Sequence, residues 1–198
     1  GHCAIGVKVG KLQVITGRAD LRDGAAGQVH AVSAKFVATP QRRHDLSVLR
    51  LATPTISPPV TLASPAEDAA ATGVGAQLRT AGWGATNIFH RKLPGFLKAT
   101  VLGVRPKRKC FGAFGKGFKS TAMICVQGAR LKRGRFSPRT SPCGGDSGGP
   151  LIADTPAGPR LVGATSFGPG LCGLPFSPVV FARISNDLGF IAAAISAP

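Results

Sequence analysis

The chain has 198 residues, 43% of them hydrophobic, and its 25 Lys and Arg against eight Asp and Glu give a formal net charge of +17. That length allows one domain or two closely packed ones with a substantial core, while no stretch approaches the roughly 18 consecutive apolar residues of a membrane span. Five widely spaced cysteines without a Cys-x-x-Cys pair exclude the usual zinc pattern and favour disulfides in an oxidising, extracellular compartment, with one cysteine left over. No charged start followed by an apolar stretch stands at the beginning, so no secretory leader is read there.

In chain order, Gly1-His2-Cys3 opens the sequence, and His2 is one of four histidines, with His30, His44 and His90. Residues 28–38 alternate polar and apolar side chains at roughly period two, and residues 46–51 form a short, largely apolar run. Both read as strands, as do 77–83, 160–167 and 179–184, because frequent Gly and Pro cut them short. Asp45 stands at the head of the 46–51 run, an expensive place for a charge unless something pairs with it. His44 adjoins it, but neighbouring side chains on a strand point to opposite faces and do not easily converge. The small, polar stretch 63–73 reads as a linker between two halves. The tail from Ser185 to Ile195 reads as a helix capped by Ser185, with Leu188, Ile191, Ala192 and Ile195 along one face. These runs predict an all-β body with a closing helix.

The basic residues are unevenly spread. Residues 105–139 carry Arg105, Lys107, Arg108, Lys109, Lys116, Lys119, Arg130, Lys132, Arg133, Arg135 and Arg139 without one acid. Such a field attracts anionic partners, although a solvated, solubilising surface has the same composition. Phe111, Phe114, Phe118 and Phe136 are interleaved with these cations. They read either as a stacking surface for bases or as packing residues, the commoner role in a β-rich body.

Residues 143–150 read Cys-Gly-Gly-Asp-Ser-Gly-Gly-Pro. Four glycines around Ser147 describe a tight turn that leaves the hydroxyl exposed, and it lets the N–H groups of Gly145 and Ser147 converge on one point. Fixed donors of that kind suit charge that develops during acyl transfer. A serine hydroxyl needs a base to remove its proton, and the base needs a partner to orient it, for which His and Asp suit.

This string resembles that of the chymotrypsin-like serine endopeptidases. Gly1-His2-Cys3 resembles the family's Ala-His-Cys motif, Asp45 matches the aspartate before a short apolar strand, and Gly82-Trp83-Gly84 and Ser166-Phe167-Gly168 resemble strand-end motifs of the family. The resemblance runs from Gly1 to Pro198. It implies two antiparallel Greek-key β-barrels with a C-terminal helix, the first barrel (1–70) incomplete and the second (71–198) carrying the nucleophile. It implies a secreted, monomeric endopeptidase acting on polypeptides without metal or organic cofactor. His2, Asp45 and Ser147 take the catalytic roles, in the family's chain order, and the N–H groups of Gly145 and Ser147 form the oxyanion hole. Ser141, Ser166, Phe167, Gly168 and Val179 line the substrate pocket. The uncharged floor at Ser141 disfavours cleavage after Lys or Arg and favours apolar side chains.

The resemblance also implies disulfides Cys110–Cys125 and Cys143–Cys172, leaving Cys3 with an expected partner upstream. It places the 105–139 cations in loops of the second barrel. It links Asp146 to activation through an N-terminal amine expected from a segment upstream of Gly1, so the sequence reads as an incomplete, poorly active form of an enzyme. A rival reading is a cationic protein that binds an anionic polymer through 105–139 on a protease scaffold, without catalysis. All three triad positions are present, which favours the enzyme.

Overall fold

Turn residues divide this chain into short extended runs, and ten of them pair as strands in the computed structural model, which describes residues 1–39, 44–86 and 93–198. β1 (Gln13–Thr16), β2 (Gln28–Val37) and β3 (Ser47–Leu51) form an open antiparallel sheet in the order β1-β2-β3. After the two-residue β4 (Thr61–Leu62) come β5 (Gln77–Gly82), β6 (Lys98–Val104), β7 (Met123–Gly128), β8 (Pro150–Thr155), β9 (Gly158–Phe167) and β10 (Val179–Arg183). These six pair antiparallel in the order β10-β7-β6-β5-β8-β9, and β9 pairs again with β10. The ring is therefore a closed six-stranded barrel, which leaves no unpaired edge within it. β4 adds to its outside, parallel to β9.

The barrel interior is packed mainly with apolar side chains. Leu78, Leu102, Ile124, Leu151, Val162 and Phe181 lie in one cluster, each 1% exposed or less. A second cluster gathers Cys110, Phe118, Met123, Cys125 and Val180 beneath the helix α2 (Lys107–Phe114). A third joins the two sheets: Ala38 and Leu46 pack with Ala182 and Ile184 of the barrel, under the C-terminal helix α3 (Leu188–Ser196). Among the described residues no helix is long and apolar enough to cross a membrane.

Three local expectations need correction. The 63–73 stretch is not a plain linker, because Pro65–Ala71 form the helix α1. Ser64 caps it by accepting from the Glu67 N–H while the Glu67 carboxylate accepts from the Ser64 N–H, a capping box legible as Ser-x-x-Glu. The 105–139 cations do not all lie in loops, since Lys107, Arg108 and Lys109 are on α2. The closing helix begins three residues later than Ser185, whose hydroxyl instead donates to Asp68 Oδ2 at 2.6 Å. Its covered face consists of Leu188, Phe190, Ile191 and Ala194, leaving Ala192 and Ile195 exposed.

Candidate active site

The glycine-rich string 143–149 is a succession of turns leading into β8. It is held from inside by Asp146, whose carboxylate accepts the N–H of Cys143 at 2.9 Å and that of Gly84 at 2.7 Å. Glycine at position 84 is required by this close approach, because a Cβ there would lie 2.3 Å from the Asp146 carboxyl carbon. Gly145 has φ +98°, a conformation that side chains with a Cβ rarely adopt. Outside, the Cys143–Cys172 disulfide ties the string to the segment before β10, and Cys110–Cys125 ties α2 to β7.

Ser147 is exposed at the surface of this string. Among the described residues, neither its backbone N–H nor that of Gly145 has a protein acceptor, which leaves both available to an outside acceptor. Ser147 lines a cavity of about 210 Å³ together with Ser141, Ser166, Phe167, Gly168 and Val179. Gly168 and Val179 are neighbours in its wall. A Cβ on Gly168 would sit 3.7 Å from Val179 Cγ2. The Ser141 hydroxyl donates to the Pro142 carbonyl, and no acidic residue lines this cavity.

His2 and Asp45 come from the other sheet. The turn bearing His2 is fixed by Lys35 of β2, whose ammonium donates to the carbonyls of Ala4 at 2.7 Å and Val7 at 2.6 Å. Asp45 is placed by its neighbour Leu46, which is buried against the barrel. The two meet closely: Asp45 Oδ2 lies 2.8 Å from His2 Nδ1, and Asp45 Oδ1 accepts the His2 N–H at 2.7 Å. The Ser166 hydroxyl donates to Asp45 Oδ2 at 2.5 Å. Burial opposes the charge on Asp45. The hydrogen bonds from Ser166, the His2 N–H and the His2 ring outweigh it and hold the carboxyl at about 2 against an ordinary 3.8.

Two placements differ from a closed triad. Among the described residues the Ser147 hydroxyl makes no hydrogen bond, and the atom beside His2 Nε2 is Cys3 Sγ at 3.5 Å. Cys3 is free and exposed, and it borders the serine string, 3.9 Å from where a Cβ on Gly148 would be. Two of the remaining histidines serve elsewhere. His30 is buried between the hydroxyls of Thr16 and Thr53, and His44 Nδ1 pairs with the Asp187 carboxylate at the start of α3. His90 lies outside the described residues. The sequence reading missed Lys35 as the support of the His2 turn, and it assigned Ser166 to the pocket without its bond to Asp45. Nothing local signals either contact, since the partners are 28 or more residues apart.

The model of the family described as Trypsin matches residues 1–191. A protein named Trypsin from Saccharopolyspora erythraea is 30% identical over 187 residues, covering 92% of this chain and 75% of that protein. The fibrinolytic enzyme, isozyme C, of Lumbricus rubellus is 30% identical over 210 residues, covering 96% and 80%. Glandular kallikrein-10 of Rattus norvegicus is 31% identical over 118 residues, covering 60% of this chain and 41% of that protein. A closed barrel presenting a Gly-Asp-Ser-Gly-Gly-Pro turn beside a paired His and Asp agrees with these likenesses. The chain belongs to the trypsin family of serine proteases.

Proposed function

We propose that the chain is a secreted serine endopeptidase that cleaves polypeptides after apolar side chains through His2, Asp45 and Ser147. The observation that carries this reading is the short His2–Asp45 pairing, reinforced by Ser166, beside the cavity that holds Ser147. Asp45 fixes the imidazole so that Nδ1–H faces the carboxylate and Nε2 is left to act as base. Ser147 Oγ attacks the scissile carbonyl and His2 takes its proton, a step that needs Oγ and Nε2 within about 2.6–3.2 Å; such bonds often tighten only when substrate is bound. The free N–H groups of Gly145 and Ser147 receive the oxyanion, each contributing about 2.7–4 kcal/mol of transition-state stabilisation. His2 then protonates the leaving amine, and water repeats the cycle on the acyl-enzyme. The absence of a carboxylate in the Ser147 cavity leaves a Lys or Arg side chain without a counter-ion, whereas Phe167 and Val179 offer apolar walls. Two disulfides suit an oxidising, extracellular setting.

The test is digestion of a peptide library by the chain and by its Ser147→Ala variant. Cuts after apolar residues that vanish in the variant are expected. Cleavage chiefly after Lys or Arg would overturn the specificity, and identical cuts in both proteins would overturn the nucleophile.

A further inference from the structure

Among the described residues, none of the eight side-chain carboxylates forms an ion pair with a cation of the basic 105–139 segment, although Asp146 lines the cavity beside Leu131, Phe136 and Arg139. Asp20, Glu67, Asp68 and Asp154 pair with Arg22, Arg160, Arg183 and Arg79. Asp45 and Asp187 pair with His2 and His44, while Asp23 and Asp146 accept backbone N–H groups. The segment's eleven cations therefore have no ion-pair partner among the described side chains. Burial chiefly, and then the nearby charges of Arg130 and Arg105, disfavours the charged form of the Arg139 guanidinium.

These cations are not a bare polar surface where the segment meets the barrel mouth. The 130–139 loop is an ordered structure: Leu131 N–H donates to the Pro138 carbonyl, and Arg139 Nε and Gln127 Nε2 both bind the Pro175 carbonyl. This brings Phe136 and Phe176 edge to face at 5.9 Å, with the Arg135 guanidinium over both rings at 5.8 and 6.0 Å. Both rings remain outside, Phe136 at 73% and Phe176 at 61% exposure, and Leu131 is 62% exposed beside them. By contrast, Phe111 and Phe118 pack on each other and Phe114 packs on Phe167. Leu131, Phe136 and Leu174 line a cavity of about 600 Å³, which shares Ser141, Cys143 and Cys172 with the cavity containing Ser147.

We propose that the rim formed by residues 130–139 and 171–176 docks an acidic segment of a polypeptide substrate, one carrying large apolar side chains, outside the cleft that holds the scissile bond. The proposal rests on the endopeptidase reading for the word substrate. Charge complementarity calls for an anionic occupant. The leucines decide among anions, because a sulfated glycan leaves them uncovered and bases stack on aromatic rings rather than on leucine, whereas apolar side chains fill such a surface. Exposed aromatics beside Arg are the side-chain types that anchor protein interfaces.

The test is direct binding to the Ser147→Ala chain, which needs no turnover and so separates this proposal from the protease reading. The probe is a fluorescein-labelled 12-residue peptide alternating Glu with Leu and Phe, measured by anisotropy. Comparison ligands are the same peptide with Gln for Glu, the same peptide with Ser for Leu and Phe, a 12-nucleotide oligo-dT and a dextran sulfate of similar length. The acidic apolar peptide is expected to bind at least about tenfold more tightly than either altered peptide. Combined Phe136→Ser and Phe176→Ser, or combined Arg133→Gln and Arg135→Gln, should each weaken it about tenfold with circular dichroism unchanged. Tighter binding of oligo-dT or dextran sulfate that ignores the Phe substitutions would overturn the proposal in favour of a polyanion site. No binding of the peptide would overturn it as well.

Discussion

The six-stranded barrel and the three-stranded sheet are made from runs that look alike in sequence, yet they bury them differently. In the barrel, large side chains such as Leu102, Leu151 and Phe181 lose all contact with water. In β1–β3 only His30 and Val32 are buried, and Ile15 and Val29 are 42% and 54% exposed. A period-two run becomes a buried core where the ring closes on itself, as β9 and β10 close the barrel. The proposed site spans both regions. Its serine string hangs from the closed barrel, held by a disulfide and Asp146, while His2 and Asp45 rely on hydrogen bonds from Lys35 and Ser166.

The largest expected effect comes from breaking the pair that the open sheet supplies. Asp45→Asn should lower kcat by about 10⁴, the loss typical when the histidine of such a triad is held in the wrong tautomer. Urea unfolding, measured on the same variant, should show that the protein is still folded. Next is the contrast in burial itself. Phe181→Ala should destabilise by about 3–5 kcal/mol, as expected for a fully buried aromatic. Val32→Ala in the open sheet should cost about 1–2 kcal/mol, within the usual range for single substitutions. Equal costs in urea titrations would remove the distinction drawn between the two regions.

Lys35→Met sharpens the comparison by loosening the His2 turn without touching the barrel. It should lower kcat by up to about 10²-fold through misplacement of the base, with little change in KM. A fourth effect is read from pH. The Asp45 carboxyl titrates lower in the folded chain than its ordinary 3.8, so its stabilisation is complete above that value and is lost as pH falls through about 2. The fall in melting temperature between about pH 4 and 2 should therefore be smaller in Asp45→Asn than in the unaltered chain. Loss of activity at milder acidity is not attributable to Asp45. The smallest effect belongs to the surface of the barrel. Arg79 and Asp154 pair across β5 and β8 with side chains 55% and 64% exposed, and Arg79→Gln should leave the urea midpoint unchanged.

What the sequence made legible follows the range of the forces involved. Strands at 28–37, 47–51, 77–82, 158–167 and 179–183 are visible because alternation and turn residues act over neighbouring positions. The Ser64–Glu67 capping box is equally local, although the small, polar composition of 63–73 masks α1. The start of α3 was misplaced because Ser185 looks like a cap in isolation, whereas in the fold its hydroxyl serves the buried Asp68–Arg183 pair. Motif strings brought Ser147 and its cavity within reach, but the supports of the site were not readable. Ser166 meets Asp45 across 121 positions, and His44 meets Asp187 across 143. Such contacts exist only after the two sheets have packed together.

The central claim, that Ser147 is an activated nucleophile served by His2 and Asp45, is tested most directly by labelling with a fluorophosphonate probe. The unaltered chain, Ser147→Ala and Asp45→Asn would be compared at neutral pH. Rapid labelling of the unaltered chain, none of Ser147→Ala and strongly slowed labelling of Asp45→Asn is the predicted result. Labelling of the unaltered chain no faster than that of Asp45→Asn would contradict the account.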